Sequence, residues 1–230
     1  MQTAKPTELW DRRWHEDPGK NTSRLEYELL DSGYGVEQAT VLDIGCGSPE
    51  FSFEETLFRK YVGVDISAVA LQKNMRKRRD SLFTDVSGKP EYELVRASAM
   101  NLPFREGVFD KAISCETVFH LGERFYDSIL EMARCSSSIA FTAVQYNIEE
   151  LQRYNPRRKK FGTLIYVETP EGFEGLVSLS EDEVRNLLKE AGFADEDIEI
   201  SPKPYLVSGR KVKEIDSRLY VKAKKASGGT

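Results

Sequence analysis

Histidine and cysteine are scarce in this chain, with two of the first and three of the second among 230 residues. Cys46, Cys115 and Cys135 show no paired spacing, and only His15 and His120 could join them as imidazole ligands. The sequence therefore argues against a metal site and against a disulfide framework. Long apolar runs are missing too. No stretch approaches the roughly 18 residues that a membrane span requires, and Met1 to Lys20 holds no apolar segment of signal-peptide length. A protein without a membrane span, in the cytoplasm, is the expectation. Cations are outnumbered, 33 Lys and Arg against 38 Asp and Glu, for a net charge of −5. That balance disfavours a surface whose whole extent grips nucleic acid. Internal repeats are absent, and the one low-complexity piece, Lys224 to Thr230, is expected to fray.

What is present reads as an ordinary folded domain. Hydrophobic residues make up 40% and charged residues 31% of the chain, inside the globular range. The length suits one α/β domain with a three-layer core. Short β-branched runs alternate with longer amphipathic stretches, the pattern of a largely parallel sheet with helices on both faces. Seven strands are expected: Thr40 to Ile44, Tyr61 to Asp65, Tyr92 to Val95, Phe109 to Ser114, Ser138 to Val144, Asp197 to Ser201 and Arg218 to Lys222. Helices are expected over Arg24 to Ser32, Ser67 to Asp80, Glu123 to Arg134 and Ser180 to Ala191. In the last of these, Ser180 and Glu183 form a capping-box pair, and Gly192 supplies the stop. Asn147 to Val177 resists the alternation, holding one strand-like run, Thr163 to Val167. It is expected to be an insertion on the substrate side of a single domain, since ligands bind at the carboxyl edge of open parallel sheets.

The segment Val41-Leu42-Asp43-Ile44-Gly45-Cys46-Gly47-Ser48-Pro49 is a buried strand that ends in an acid and then turns through two glycines. Gly45 and Gly47 can take positive φ and let backbone approach a ligand where a Cβ would collide. The next strand, Tyr61-Val62-Gly63-Val64-Asp65, again ends in an acid, which can hold ribose hydroxyls. A pyrophosphate cofactor fits poorly, because Glu50 would repel it at the helix start and the third glycine of the dinucleotide fingerprint is missing. Either acid could instead cap a helix.

These residues resemble the class I S-adenosylmethionine-dependent methyltransferases, within them the small-molecule group that includes the ubiquinone and menaquinone biosynthesis enzymes. Four blocks carry the resemblance, VLDIGCG, YVGVDIS, ASAMNLPFREGVFD and KAISCETVFHL, over about Thr40 to Ala143. It implies a Rossmann-like sheet of seven mostly parallel strands with an antiparallel last strand, and S-adenosylmethionine as cofactor. Asp43, Gly45, Cys46 and Gly47 would line its methionine half, and Asp65 would hold the ribose. Ile66 would pack on adenine, Ser98 and Ala99 would meet its edge and Met100 its face. The Cys115 carbonyl would meet the methionine amino group. Pro49 stands where a third glycine is common, and Ser98 where an aspartate is usual, so its hydrogen bond to adenine would lack charge assistance. The resemblance also implies that residues 1–36 form a helical lid, with Trp10, Trp14, Tyr27 and Tyr34 able to cage a cation.

Methyl transfer from a sulfonium is an in-line displacement, and a base is needed only if the acceptor begins protonated. His120, a few residues past the fourth strand, is the first candidate base and Glu116 the second. A small-molecule acceptor is the leading expectation, with the chain acting as monomer or homodimer. The basic run Arg157-Arg158-Lys159-Lys160 leaves open an RNA or protein acceptor, and Pro49 with Ser98 a non-catalytic binding subunit. The run Arg76-Lys77-Arg78-Arg79 reads as charge complementing a helix end.

Overall fold

A strand covered on both faces reads as a near-continuous apolar run, and the stretch Thr40–Ile44, polar at Thr40 and Asp43, is buried at all five positions. The computed structural model describes residues 6–16, 39–48, 58–80, 91–147, 149, 152, 156–169, 172–203, 206–207, 210–211 and 215–226. The expected helix at Arg24 to Ser32 and the residues Pro49, Glu50, Tyr27 and Tyr34 lie outside them. In chain order the elements begin with α1 (Pro6–Glu16), β1 (Thr40–Ile44), β2 (Lys60–Asp65), α2 (Ala68–Asp80), β3 (Glu91–Arg96) and β4 (Phe109–Ser114). Next come α3 (Phe125–Cys135), β5 (Ser136–Tyr146), β6 (Arg157–Arg158), β7 (Thr163–Thr169), β8 (Gly172–Ser178) and α4 (Glu181–Glu190). The chain closes with β9 (Ile198–Lys203), a small separate pair β10 (Leu206–Val207) and β11 (Arg210–Lys211), and β12 (Ile215–Lys224).

All seven expected strands are present, and they form one continuous run in the order β3-β2-β1-β4-β5-β12-β9. The first five are parallel neighbours. β12 runs antiparallel to both β5 and β9. Alternation along the strands divides the core. Leu42, Ile44, Val62 and Val64 face Ile129 and Met132 of α3 and Leu187 and Leu188 of α4, while Val41, Tyr61, Ile113 and Ala140 pack on the other face. Asp43 therefore shares its side of the sheet with Tyr61.

Three expectations need correction. The helix foreseen from Glu123 begins at Phe125, because a 3-10 turn, Val118–Arg124, carries the chain out of β4 and contains Gly122 at φ 57°, ψ −128°, a conformation closed to α-helix. Lys224 ends β12, and the Lys225 N–H donates to the Ser137 carbonyl at 2.9 Å, so the start of the tail is held rather than frayed. The insertion is a hairpin, β7 with β8, where a single strand was foreseen. β5 outruns β4 by five residues, since the β4 register stops at Phe141. β8 takes the exposed edge beyond that point, with Val144 paired to Ser178 and the Leu179 N–H on the Val144 carbonyl at 2.9 Å. Because β12 holds the opposite edge of Val144, the hairpin stands above the carboxyl tip of β4. Gly122 and Gly175 are the contact: a Cβ on Gly175 would lie 3.3 Å from the Gly122 Cα.

Candidate active site

The chain leaves β1 through Gly45 at φ +71° and Gly47 at φ +50°, the left-handed region that favours glycine. Both N–H groups of Gly45 and Cys46 donate to the Val64 carbonyl, at 2.8 and 3.0 Å. The turn is thereby fastened to β2. A Cβ at Gly45 would overlap the Thr117 side chain, and one at Gly47 would sit 2.6 Å from Cζ2 of Trp14. Helix α2 grips the same loop from the side: Asn74 Nδ2 donates to the Gly47 carbonyl at 3.1 Å and Lys77 Nζ to the Ser48 carbonyl at 3.2 Å. One lysine of the first basic run is thus employed on the loop.

Asp43 is fully buried, and its Oδ2 accepts the Tyr61 hydroxyl at 2.6 Å. Tyr61 stacks on Tyr92 at 4.8 Å between centroids, and the Tyr92 hydroxyl donates to Asn74. One buried network therefore links the tip acid of β1 to the helix that clasps the loop. Asp65 closes the other side. Its Oδ2 accepts the Gly47 N–H at 2.9 Å and its Oδ1 the Ser67 N–H at 2.8 Å. Burial lifts the Asp65 carboxyl above its ordinary range, the backbone donors pull it down, and the nearby Asp11 charge adds to the rise. Two backbone donors leave lone pairs on each oxygen for hydroxyl hydrogens.

Of the other expected site residues, Ile66, Ser98, Ala99 and Met100 are half-buried. Ile66 offers its carbonyl to Arg96 Nε at 3.1 Å, and the Ser98 hydroxyl accepts the Met100 N–H at 3.3 Å within its own turn. That turn is pinned from α3: Glu131 accepts the Leu102 N–H at 2.7 Å, and Arg134 donates to the carbonyls of Phe104 and Leu102 at 2.8 and 3.2 Å. Cys46 turns its sulfur toward the sheet beside Gly63. Burial, with the charges of Asp43 and Asp65, pushes its thiol well up. Cys115 is buried likewise, with a thiol raised by burial, so neither is a thiolate nucleophile.

Helix α1 lies across this assembly. Asp11 accepts the Ser67 hydroxyl at 2.6 Å and the Val69 N–H at 3.3 Å, capping α2 from another element, and the Ser67 hydrogen bond holds its carboxyl below the usual range. Lys73 donates to the Trp14 carbonyl. Trp14 covers Gly47, and Trp10 meets the His120 ring edge-on at 5.5 Å while carrying Arg13 over its own face at 4.9 Å. Of the two tryptophans flagged by the sequence, Trp14 reaches the glycine loop, whereas Trp10 meets the 3-10 turn at His120 and faces a cation of its own chain.

Beyond β4, Glu116 stands at φ 54°, the non-glycine residue with positive φ among those described. Its Oε1 accepts the Thr142 hydroxyl at 3.1 Å and its Oε2 meets Arg218 Nη2 at 3.0 Å. Burial pushes the carboxyl up to about 7 against the pull of Thr142. The guanidinium at 3.0 Å favours the ionised form, so the carboxylate is charged while the pair is closed. His120 lies on the 3-10 turn, between Trp10 and Phe119 at 4.3 Å. Thr117, Tyr61, Asp11 and Arg218 were not foreseen as site residues. Tyr61 reads as strand core, Asp11 as helix surface, and Arg218 meets Glu116 from 102 positions away. For Thr117 its place in the block KAISCETVFHL was the available signal.

The residues fit a cationic nucleoside without phosphates. Asp11, Asp43 and Asp65 surround the loop with negative charge, which attracts a sulfonium and repels a pyrophosphate, and the glycine turn brings bare backbone to the same place. Sheet order, acid-tipped strands and glycine loop together set a candidate site at the carboxyl edge of a Rossmann-like sheet. Residues 42–138, under half of the chain, match the family described as "Methyltransferase domain". The chain is 23% identical over 194 residues to the O-methyltransferase resE of Aspergillus sclerotiorum, an alignment covering 78% of this chain and 66% of that protein. The chain thus spans just under two thirds of that relative. Among solved structures, a SAM-dependent methyltransferase from Methanosarcina mazei superposes with a TM-score of 0.67 at 20% identity, covering 89% of this chain and 99% of that one. Magnesium protoporphyrin IX methyltransferase from Synechocystis PCC 6803 with bound SAM gives 0.61 at 12% identity, over 98% and 100%.

Proposed function

We propose that the protein transfers the methyl group of S-adenosylmethionine to a hydroxyl of a small-molecule acceptor, in a site roofed by α1 and the β7–β8 hairpin. The observation that carries this reading is the pair of tip acids on neighbouring parallel strands, Asp43 and Asp65, flanking a turn with two positive-φ glycines. The cofactor supplies an electrophilic methyl carbon when bound. Asp65 would hold the ribose hydroxyls, Ile66, Ala99 and Met100 would enclose the adenine, Ser98 would accept from its amino group, and Asp43 with Gly45 would line the methionine end. Acceptance by a hydroxyl is supported by resE, described as an O-methyltransferase, and by a base near the fourth strand tip. We assign that role to His120. Glu116 is committed to Arg218 and Thr142, so it shapes the acceptor wall instead. Trp10 and the hairpin would exclude water, leaving alignment of acceptor oxygen and methyl carbon as the main catalytic task.

The RNA reading loses its footing in the basic run. Arg158 pairs with Glu183 at 2.5 Å, Lys159 with Glu123 at 2.8 Å and Lys160 with Glu190 at 2.6 Å, while Arg157 stacks over Tyr166. These cations fasten the insertion to its neighbours. A tritiated methyl-transfer assay against phenols, alcohols, carboxylic acids, amines and RNA tests the proposal. Label should appear in a hydroxyl compound, and His120→Ala should lower kcat about 10²- to 10⁴-fold with little change in KM. Transfer to RNA alone, or cofactor binding with no transfer to any acceptor, would overturn it. An unchanged rate in the variant would remove His120 as base.

A further inference from the structure

Thr117 stands where the tips of β1 and β4 meet. Its hydroxyl lies 3.1 Å from the Cys115 carbonyl and 3.4 Å from the Gly45 carbonyl, oxygens belonging to the tips of two adjacent parallel strands. The placement is built in: Glu116, at φ 54°, turns the chain back so that residue 117 faces the glycine loop. A left-handed non-glycine residue costs of order 1 kcal/mol and persists where the surroundings impose it. Gly45 completes the arrangement, since any side chain there would overlap Thr117.

The hydroxyl is a poor match for what it faces. It has one proton, and two carbonyls compete for it. An ammonium brings three donors, so a nitrogen placed where Oγ1 stands would satisfy both oxygens at once with charge-assisted bonds. Both groups cannot occupy that point together. We propose that Thr117 is a specificity-determining placeholder: its hydroxyl holds the two strand-tip carbonyls until the amino-acid end of the cofactor displaces it, so it sets how strongly the protein distinguishes nucleosides with that end from nucleosides without it. This inference rests on the methyl-donor reading given above.

Calorimetric titration separates the possibilities, with S-adenosylhomocysteine as the ligand that bears the ammonium and 5′-methylthioadenosine as the one that lacks it. Thr117→Val removes the hydroxyl and keeps the shape. Loss of one neutral hydrogen bond that the ligand would otherwise have to break should tighten S-adenosylhomocysteine binding about 2- to 10-fold. Methylthioadenosine leaves the hydroxyl in place, so its affinity should stay within about twofold, which also shows that the variant pocket is folded. Thr117→Ser, which keeps the donor, should behave as the native protein toward both. Weaker S-adenosylhomocysteine binding in Thr117→Val would make the hydroxyl a cofactor ligand and overturn the proposal, as would equal shifts for both nucleosides, the mark of a structural role. If the native protein bound methylthioadenosine but not S-adenosylhomocysteine, the carbonyl pair would not be an ammonium site. Failure to bind either would instead sink the methyl-donor reading itself.

Discussion

Glu116 and Arg218 show how one contact can carry opposite electrostatic tendencies. Burial, against the pull of Thr142, pushes Glu116 up to about 7 from an ordinary value of 4.5. A folded state with the higher value holds a proton that the unfolded chain releases, so stability present below pH 4.5 is lost as pH rises toward 7. Arg218 opposes this loss by favouring the carboxylate. In Arg218→Met the burial cost stands unopposed, and thermal melts between pH 4.5 and 8 should show the variant falling progressively further below the native protein up to about pH 7, by on the order of 1–3 kcal/mol, and level thereafter. A difference independent of pH would mean that Arg218 contributes packing rather than charge. Little of this could be read from the sequence, because the pair joins residues in β12 and past β4 through a sheet register that local pattern does not specify.

At the level of single elements, what can be read from sequence depends on whether the chemistry that ends an element lies close along the chain. Helix α4 announces itself: the Ser180 side chain accepts the Glu183 N–H at 3.3 Å, Glu183 returns a bond to the Ser180 N–H at 2.8 Å, and Gly192 follows at φ +92°. Ser180→Ala should lower stability by about 1 kcal/mol in chemical denaturation, through loss of one arm of the box. A change below about 0.3 kcal/mol would show that tertiary packing of Val184, Leu187 and Leu188 overrides the cap. The 3-10 turn lacks such signals, and Gly122 breaks its period from within. β7 is recognisable from its β-branched run. β8 is not, because Gly172 and Gly175 interrupt the alternation that would reveal it; Gly175 faces Gly122, where the hairpin meets the 3-10 turn.

Across the whole molecule, the seven strands and their largely parallel sheet follow from the alternation of strands and helices, and the tip acids follow from where the first two strands end. A lid and an insertion are expected above the sheet, but the contacts that fasten them escape the sequence. α1 contacts the glycine loop through Trp14 and the start of α2 through Asp11. The hairpin sits on the overhang of β5, and its cations meet acids on the 3-10 turn and α4. These contacts join segments far apart in the chain, and their geometry depends on the sheet already being formed. No described helix is long and apolar enough to cross a membrane.

The proposed grasp of a sulfonium nucleoside between Asp43 and Asp65 is tested by titration of S-adenosylhomocysteine into the native protein and into Asp65→Asn, with melts confirming that both are folded. The native protein should bind at one site per chain and the variant about 10- to 100-fold more weakly, the loss expected when hydroxyls give up a charged acceptor. Absence of binding to the native protein, or equal affinity in both, would contradict it.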